Sequence, residues 1–81
     1  MIECPACGGK VTQKKVDVER WWHGRLVIIE GVPAHVCQQC GEMYFNGDVA
    51  SEMEKIKRAA TVSGERFIQV PVRPYRPAHQ A

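Results

Sequence analysis

The chain is short, with 81 residues, and nearly neutral, with a formal net charge of +2 and 25% charged residues. A domain of this size buries a thin core and often requires a disulfide, a metal ion or a partner for its stability. The chain also contains four cysteines. If these bound one divalent metal ion as thiolates, the net charge would be about zero, so the composition indicates no general attraction to nucleic acid.

Two features of the sequence bear on the cellular compartment. No apolar run approaches the roughly 20 residues of a membrane span, and the opening residues MIECPACGG lack the basic and apolar regions of a signal peptide. We therefore expect a soluble, cytoplasmic protein. Thiols stay reduced in that compartment, so the four cysteines are expected to bind a metal or carry redox chemistry rather than form structural disulfides.

Residues 11–22, with the sequence VTQKKVDVERWW, have the alternation of a half-buried β-strand. In an extended chain, Val16, Val18 and Trp22 lie on one face, while charged residues occupy the other face. The segment is therefore predicted to form the first strand of the domain.

A turn and a second extended segment follow. His23-Gly24 is predicted to form the turn of a hairpin, because glycine accepts the positive φ that tight turns require. Residues 25–37 are rich in β-branched side chains and lead back toward the first cysteine pair. Gly31 and Pro33 interrupt this segment. Because proline cannot donate to a ladder, we expect an edge or a bend between two short strands at that point.

Residues 46–64 have the pattern of an amphipathic helix. The apolar residues at the spacing of one helical stripe are Val49, Met53, Ile56 and Ala60. Asn46 or Asp48 is expected to cap the start of this helix, and Ser63-Gly64 is expected to end it.

The end of the chain contains three of the five prolines and mixes arginine with apolar side chains. Residues 63–81 are predicted to form an extended tail, so that the folded domain covers residues 1–62. A solvated linker would contain fewer apolar groups, which favours a tail that docks on a partner over a disordered one. The residues expected to contact the partner are Phe67, Val70, Val72, Arg73 and Tyr75.

Two Cys-x-x-Cys-Gly motifs carry the strongest signal in the chain, CPACG from Cys4 and CQQCG from Cys37. A two-residue spacer lets two sulfurs reach one ion about 2.3 Å away, and the glycine frees the backbone to turn its amides toward the thiolates. A hairpin between the motifs would bring them together. We predict one structural zinc ion (Zn2+), and its expected ligands are Cys4, Cys7, Cys37 and Cys40.

The predicted fold is a small α+β zinc-bound domain. It has an antiparallel β-hairpin or three-stranded sheet with two CxxC zinc knuckles, one helix after them and an extended tail. Redox chemistry and an iron site are alternatives for the same cysteines. A thioredoxin-like dithiol, however, needs one such pair at a helix start after a βαβ pattern, and this chain has two pairs and no such pattern.

Catalysis at the metal is not expected. A catalytic zinc keeps one coordination position open, whereas four thiolates would close the shell, so we predict no enzyme activity. His35 lies two residues before Cys37 and would point to the same side of the strand. Because four cysteines already suffice, His35 is expected to be a surface residue or to support a ligand rather than to bind the ion.

These motifs resemble a known family. CPACGG, GVPAHVCQQCGEMYF and a helix beginning near Val49 are similar to the YgiT-type zinc finger, the amino-terminal zinc domain of the MqsA antitoxin family, over about residues 2–60. The resemblance implies an intracellular bacterial protein whose four cysteines bind one zinc ion. It also implies a partner, a small ribonuclease toxin that the domain holds inactive. Two-domain members continue into a helix-turn-helix domain, whereas a proline-rich tail follows here, so operator binding and self-repression through such a domain are not expected.

Two functions of different classes are consistent with these observations. The first is a zinc-binding antitoxin-like module that neutralises the toxin by protein contact, through strand edges and the tail. The second is a nucleic-acid-binding zinc ribbon, because basic residues on the hairpin surround Trp21 and Trp22. Asp17, Glu19 and Glu30 interrupt the basic cluster, which favours the first function. The basic residues are Lys10, Lys14, Lys15, Arg20 and Arg25.

Overall fold

The computed structural model describes residues 3–77, which form a three-stranded antiparallel sheet and one helix. The elements are β1 (Val11–Trp22), β2 (Arg25–Cys37), β3 (Met43–Tyr44) and α1 (Gly47–Arg58). The sheet order is β1-β2-β3, with β2 in the centre. The predicted small α+β architecture is confirmed. Across the described residues, the structure has no helix with both the length and the hydropathy that crossing a membrane requires.

The hairpin of β1 and β2 has the predicted two-residue turn. His23 and Gly24 have φ angles of 49° and 75°, and two positive φ angles in succession are those of a type I′ turn, which matches the twist of the flanking strands. The antiparallel register then continues to the pair Val11 and Cys37. The hairpin therefore brings the second cysteine motif back beside the first.

β2 is one continuous strand, so of the two predicted alternatives the bend between two short strands is wrong. A register shift between Val16 and Val18 of β1 absorbs one extra residue of β2. Gly31 lies at this bulge with a φ of 69°, a conformation that glycine adopts without strain. Its backbone N–H donates to Asp17 Oδ1 at 3.1 Å. The bulge therefore preserves the strand where a break was expected.

Pro33 remains in the ladder, opposite Lys15. β3 pairs only with His35 and Val36. In the described part of the chain, the second edge of β2 therefore has no strand beside Pro33. A residue that lacks an N–H is tolerated at such an edge. An edge at Pro33 was one of the two predicted alternatives.

The start of α1 agrees with the prediction in position but not in mechanism. Asn46 occupies the N-cap position, but its side chain forms no capping hydrogen bond. Instead, Asn46 Oδ1 lies 3.2 Å from His35 Nε2. Asp48 is the acidic residue of the first turn, where a negative charge interacts favourably with the helix dipole.

The end of α1 lies earlier than predicted. The helix ends at Arg58, not at Ser63-Gly64, and Ala60, expected on the apolar stripe, is exposed beyond it. Lys57 Nζ and the Arg58 guanidinium carbon lie 5.1 and 5.3 Å from the ring centroid of Trp22. Trp22 is the last residue of β1 before the turn. A further helical turn would therefore have no strand surface to pack against, because the hairpin ends there.

The buried side chains form two separate clusters. The helix-end cluster contains Val18, Ile29, Val32 and Met53. The half-buried residues packed against it are Val16, Val27, Phe45, Val49 and Ile56. The metal-end cluster contains Cys4, Val11 and Cys37, with Tyr44 packed against it. The predicted helical face of Val49, Met53 and Ile56 is confirmed.

No helix or strand forms between residues 59 and 77, and every residue of that segment is exposed. Arg66 forms an ion pair with Glu30 of β2. Large apolar side chains follow it, with Phe67, Val72 and Tyr75 exposed by 86%, 92% and 90%. The predicted tail also includes residues 78–81, which lie outside the described residues.

Candidate metal centre

The structure brings the four predicted cysteines together. All four sulfur atoms lie within 4.8 Å of one another, with Cys4 and Cys40 3.7 Å apart and Cys7 and Cys37 3.4 Å apart. Four sulfurs arranged as a tetrahedron around one ion, each at about 2.3 Å, are separated by about 3.8 Å. The spacing therefore fits a single metal ion with four thiolate ligands.

The first cysteine motif is a tight loop closed by two backbone hydrogen bonds. The N–H of Gly8 donates to the carbonyl of Cys4 at 2.7 Å, and the N–H of Cys4 donates to the carbonyl of Gly9 at 2.8 Å. Gly8 has a φ of 77°, which most other residues adopt only with strain. The loop thereby turns the Cys7 side chain back toward Cys4.

The second motif repeats this arrangement at every corresponding position. The N–H of Gly41 donates to the carbonyl of Cys37 at 3.1 Å, and the N–H of Cys37 donates to the carbonyl of Glu42 at 2.9 Å. Gly41 has a φ of 78°. The N–H groups of Gln39 and Cys40 lie 3.4 Å from Cys37 Sγ, as the motif predicted. The two loops are therefore local copies of one another.

The second loop is also bonded to the residues that follow the first loop. The N–H of Gln38 donates to the carbonyl of Lys10 at 2.7 Å, and its side-chain amide donates to Thr12 Oγ1 at the same distance. These bonds continue the hairpin beyond its last strand pair, so the relative position of the loops depends on the backbone as well as on the sulfurs.

Gly9 has a role in the site that sequence reasoning missed. A Cβ atom at this position would lie 2.7 Å from Gln39 Cβ, 3.0 Å from Cys37 Sγ and 3.3 Å from Cys7 Sγ. The second loop therefore packs directly against the backbone of the first. The second glycine of CPACGG was the available signal, since CQQCG is followed by glutamate instead.

Tyr44 is the second residue whose role sequence reasoning missed. β3 places its hydroxyl 3.1 Å from Cys4 Sγ. This hydrogen bond is the largest influence on Cys4 and lowers the pKa of that thiol to about 6, with the Cys7 and Ala6 amides acting in the same direction. The hydrogen bond to the Cys4 sulfur also raises the pKa of Tyr44.

The surroundings of the other three thiols shift their pKa values in different directions. The amides of Cys40 and Gln39 lower the pKa of Cys37. The Gly9 amide acts to lower the pKa of Cys7, but the Cys37 sulfur raises it, and the net result is a raised pKa. The Glu42 amide likewise opposes an increase at Cys40, but the other three sulfurs raise the pKa of Cys40 to about 12. Four neighbouring sulfurs resist carrying four negative charges, and a divalent cation among them removes that resistance.

His35 does not belong to the sulfur cluster. Its ring contacts Asn46, and the group of potential ligands among the described residues contains only the four cysteines. Two of these sulfurs belong to buried residues and two to exposed ones. The arrangement therefore agrees with the expected surface or supporting role of His35.

The other predicted contact residues lie on separate surfaces. The five tail residues expected to contact a partner are exposed. The basic residues of the hairpin are exposed as well. Trp21 is 67% exposed, whereas Lys57 and Arg58 lie over the ring of Trp22. Only one of the two tryptophans therefore presents a largely free ring.

No model of a known protein family matches this chain, and a comparison with curated proteins finds no similar sequence. The chemistry of the site therefore rests on its own residues. Four cysteine sulfurs, held by two matching loops and a hairpin, form a cluster that can bind a metal ion.

Proposed function

We propose that this chain is a zinc-binding protein of the YgiT type that binds and neutralises a small ribonuclease toxin. The observation that carries the proposal is the combination of a compact four-cysteine cluster with an apolar, arginine-bearing segment that is exposed along its described length. A domain held by a metal supplies a stable anchor, and the exposed segment supplies a surface for the partner.

Zinc is the ion that the donor set favours. Four thiolates in a tetrahedron are typical of structural zinc sites, while iron is the main competitor for the same ligands. Metal analysis of the purified protein should give one zinc per chain and no visible absorption bands. Iron at equal stoichiometry, with charge-transfer bands in the visible spectrum, would overturn the choice of metal.

The tail is the surface that we assign to the toxin. Exposed aromatic side chains near arginines are the usual anchors of protein interfaces, and Phe67, Arg73 and Tyr75 provide them here. Prolines at positions 71, 74 and 77 favour an extended backbone. An extended segment loses less conformational entropy when it docks, which strengthens binding.

The experiment compares variants of the full chain by calorimetry against the product of the neighbouring reading frame. Replacing both Phe67 and Tyr75 with alanine should weaken binding by about a hundredfold or more, since two anchors at the centre of an interface dominate its affinity. Trp21→Ala is the matched control, because Trp21 is also exposed and aromatic but lies on the hairpin. Equal affinity of the double variant and the original chain would assign toxin binding to the zinc domain itself. Absence of any complex would reject the antitoxin function.

The exposed ring of Trp21 supports a second candidate function, nucleic-acid binding. Bases stack on exposed aromatic rings, and basic side chains nearby contact the phosphates. Arg20 and Arg25 lie on the same hairpin and are exposed. Titration with single-stranded DNA and RNA should show salt-dependent binding that Trp21→Ala weakens, if this function is correct. Absence of binding at low salt would reject nucleic-acid binding as a function.

A further inference from the structure

We propose that the groove between α1 and the open edge of β2 binds the tail of a second copy of this chain, so that two copies exchange tails. The α1–β2 groove has a volume of about 430 Å³. Its lining residues include Ile29, Val32, Met53, Glu30, Asp48 and Glu52. The part of the tail that we assign to this groove is residues 66–77. The proposal concerns the protein in the absence of the toxin, because the exchanged tail is the same segment that we assign to the toxin.

The groove offers both an apolar floor and free backbone groups. Ile29, Val32 and Met53 belong to the helix-end cluster and form its floor. β3 covers β2 only at His35 and Val36, so over the described residues the edge of β2 beside the groove pairs with no other strand. An extended peptide can add to such an edge through its main chain, while its side chains enter the groove.

The rim of the groove is acidic, and the tail is basic. Glu30, Asp48 and Glu52 line the groove and are exposed. Residues 66–77 contain three arginines and no acidic residue. Opposite charges across an interface fix its register and speed association. The occupant expected from this chemistry is therefore an extended, apolar and arginine-rich segment, which the chain itself contains.

One contact of this kind is present in the monomer. Arg66, at the start of the tail, forms an ion pair with Glu30 on the rim. The apolar residues that follow do not enter the groove, since Phe67 and Val72 remain highly exposed. The single contact shows that a tail arginine and the rim can pair, while the space beyond remains open to another segment.

The tail of the same chain is poorly placed to fill this space. Prolines 71, 74 and 77 fix φ at intervals of three residues and favour an extended segment that continues away from its anchor. Residues 67–70 contain no proline, so they retain every N–H needed to pair with the edge of a second copy. A reciprocal exchange around a two-fold axis would fill both grooves and cover both apolar tails.

The test is the oligomeric state of the metal-loaded full chain, measured by sedimentation and light scattering over a wide range of concentration. We expect a dimer that dissociates on dilution. Glu52→Arg places a repelling charge on the rim and should raise the dimer dissociation constant at least tenfold. Glu52 makes no ion pair with other described residues, which limits effects on the monomer. Glu19→Arg is the matched control, because Glu19 is exposed on β1 and does not line the groove.

A mixing experiment distinguishes exchange between copies from docking within one chain. The Glu52→Arg variant keeps an intact tail, and the variant with alanine at both Phe67 and Tyr75 keeps an intact groove. Each alone should be largely monomeric, while their mixture should form a one-sided heterodimer. A monomeric original chain at every concentration, a dimer unaffected by Glu52→Arg, or variants that fail to combine would each overturn the proposal. Metal content and circular dichroism of each variant verify that it is folded.

Discussion

The two ends of the hairpin are held together by different interactions. At the helix end, Val18, Ile29, Val32 and Met53 are packed together beneath α1. At the other end, the only buried residues of the cluster are Cys4, Val11 and Cys37. Two short loops supply little apolar surface there, and an ion bound by the four sulfurs would hold the loops together. In a chain of 81 residues, a metal can replace the part of the core that the sequence is too short to build.

This difference predicts that the metal end is the more sensitive to single substitutions. An apolar cluster loses one set of contacts when one side chain is shortened, and its neighbours partly adjust. A tetrahedral site with three ligands loses much of its affinity, because the remaining ligands cannot replace the fourth. Four substitutions, taken from the largest expected effect to the smallest, test the comparison.

Cys37→Ser should have the largest effect. Cys37 is 2% exposed and accepts two amide hydrogen bonds. Its loss should therefore either unfold the domain or leave a folded domain without metal. Metal analysis and thermal melting measure both results. A variant that retains one zinc per chain and an unchanged melting temperature would contradict a four-cysteine site.

Gly9→Ala should come second, because it adds a methyl group where three atoms lie within 3.3 Å. We expect a large decrease in metal affinity, measured by competition with a chelator, and a lower melting temperature. Gly47→Ala is the matched control, since nothing lies within 4 Å of a Cβ at that position. The control should be neutral or stabilising by about 0.4–1 kcal/mol. Equal effects of the two variants would mean that the loops adjust freely.

Met53→Ala tests the helix end and should cost about 2–4 kcal/mol of unfolding free energy, because Met53 is the buried residue of α1. Ile56→Ala should cost less, since Ile56 is only half-buried. Glu54→Ala, on the exposed side of α1, should lower the free energy of unfolding the least of these three helix variants. The metal affinity of the folded Met53→Ala variant should be unchanged. A matching loss of metal affinity would show that the two ends are not independent.

Tyr44→Phe should have the smallest effect, because it removes one hydroxyl and keeps the ring. Without the hydrogen bond to Cys4 Sγ, the absorption bands of the cobalt-substituted site should shift and metal release to a chelator should become faster. Tyr75→Phe is the control, since Tyr75 is 90% exposed. Identical cobalt spectra for Tyr44→Phe and the original chain would show that the hydroxyl does not influence the ligand.

The sequence was most informative where one residue type has one physical use. The motif spacing predicted which cysteines meet, and His23-Gly24 predicted the turn, since both depend on local geometry. The end of α1 could not be predicted in this way, because residues 59–64 contain good helix formers and a plausible stop signal. The helix ends where Arg58 reaches Trp22, the last residue of β1 before the turn.

The errors at β2 and in the site have the same origin. Gly31 and Pro33 are strand breakers in isolation, but a bulge opposite Asp17 and an unpaired edge accommodate them. The roles of Gly9 and Tyr44 depend on atoms about 30 to 40 positions away in the chain. Such contacts are invisible to periodicity, which describes only near neighbours. The identities of the metal and of the partner stay predictions, because neither is part of the chain.

The type I′ turn also has a consequence for the order in which the molecule assembles. Cys7 and Cys37 are 30 positions apart, and closing a loop of that length without intermediate contacts costs conformational entropy before any sulfur meets another. A hairpin that starts at His23 and Gly24 closes the same distance one short step at a time, with formation times of about 1–10 μs. We therefore expect the strands to pair first and the ion to be captured last, so that the turn sets the rate at which a newly made chain becomes able to bind metal.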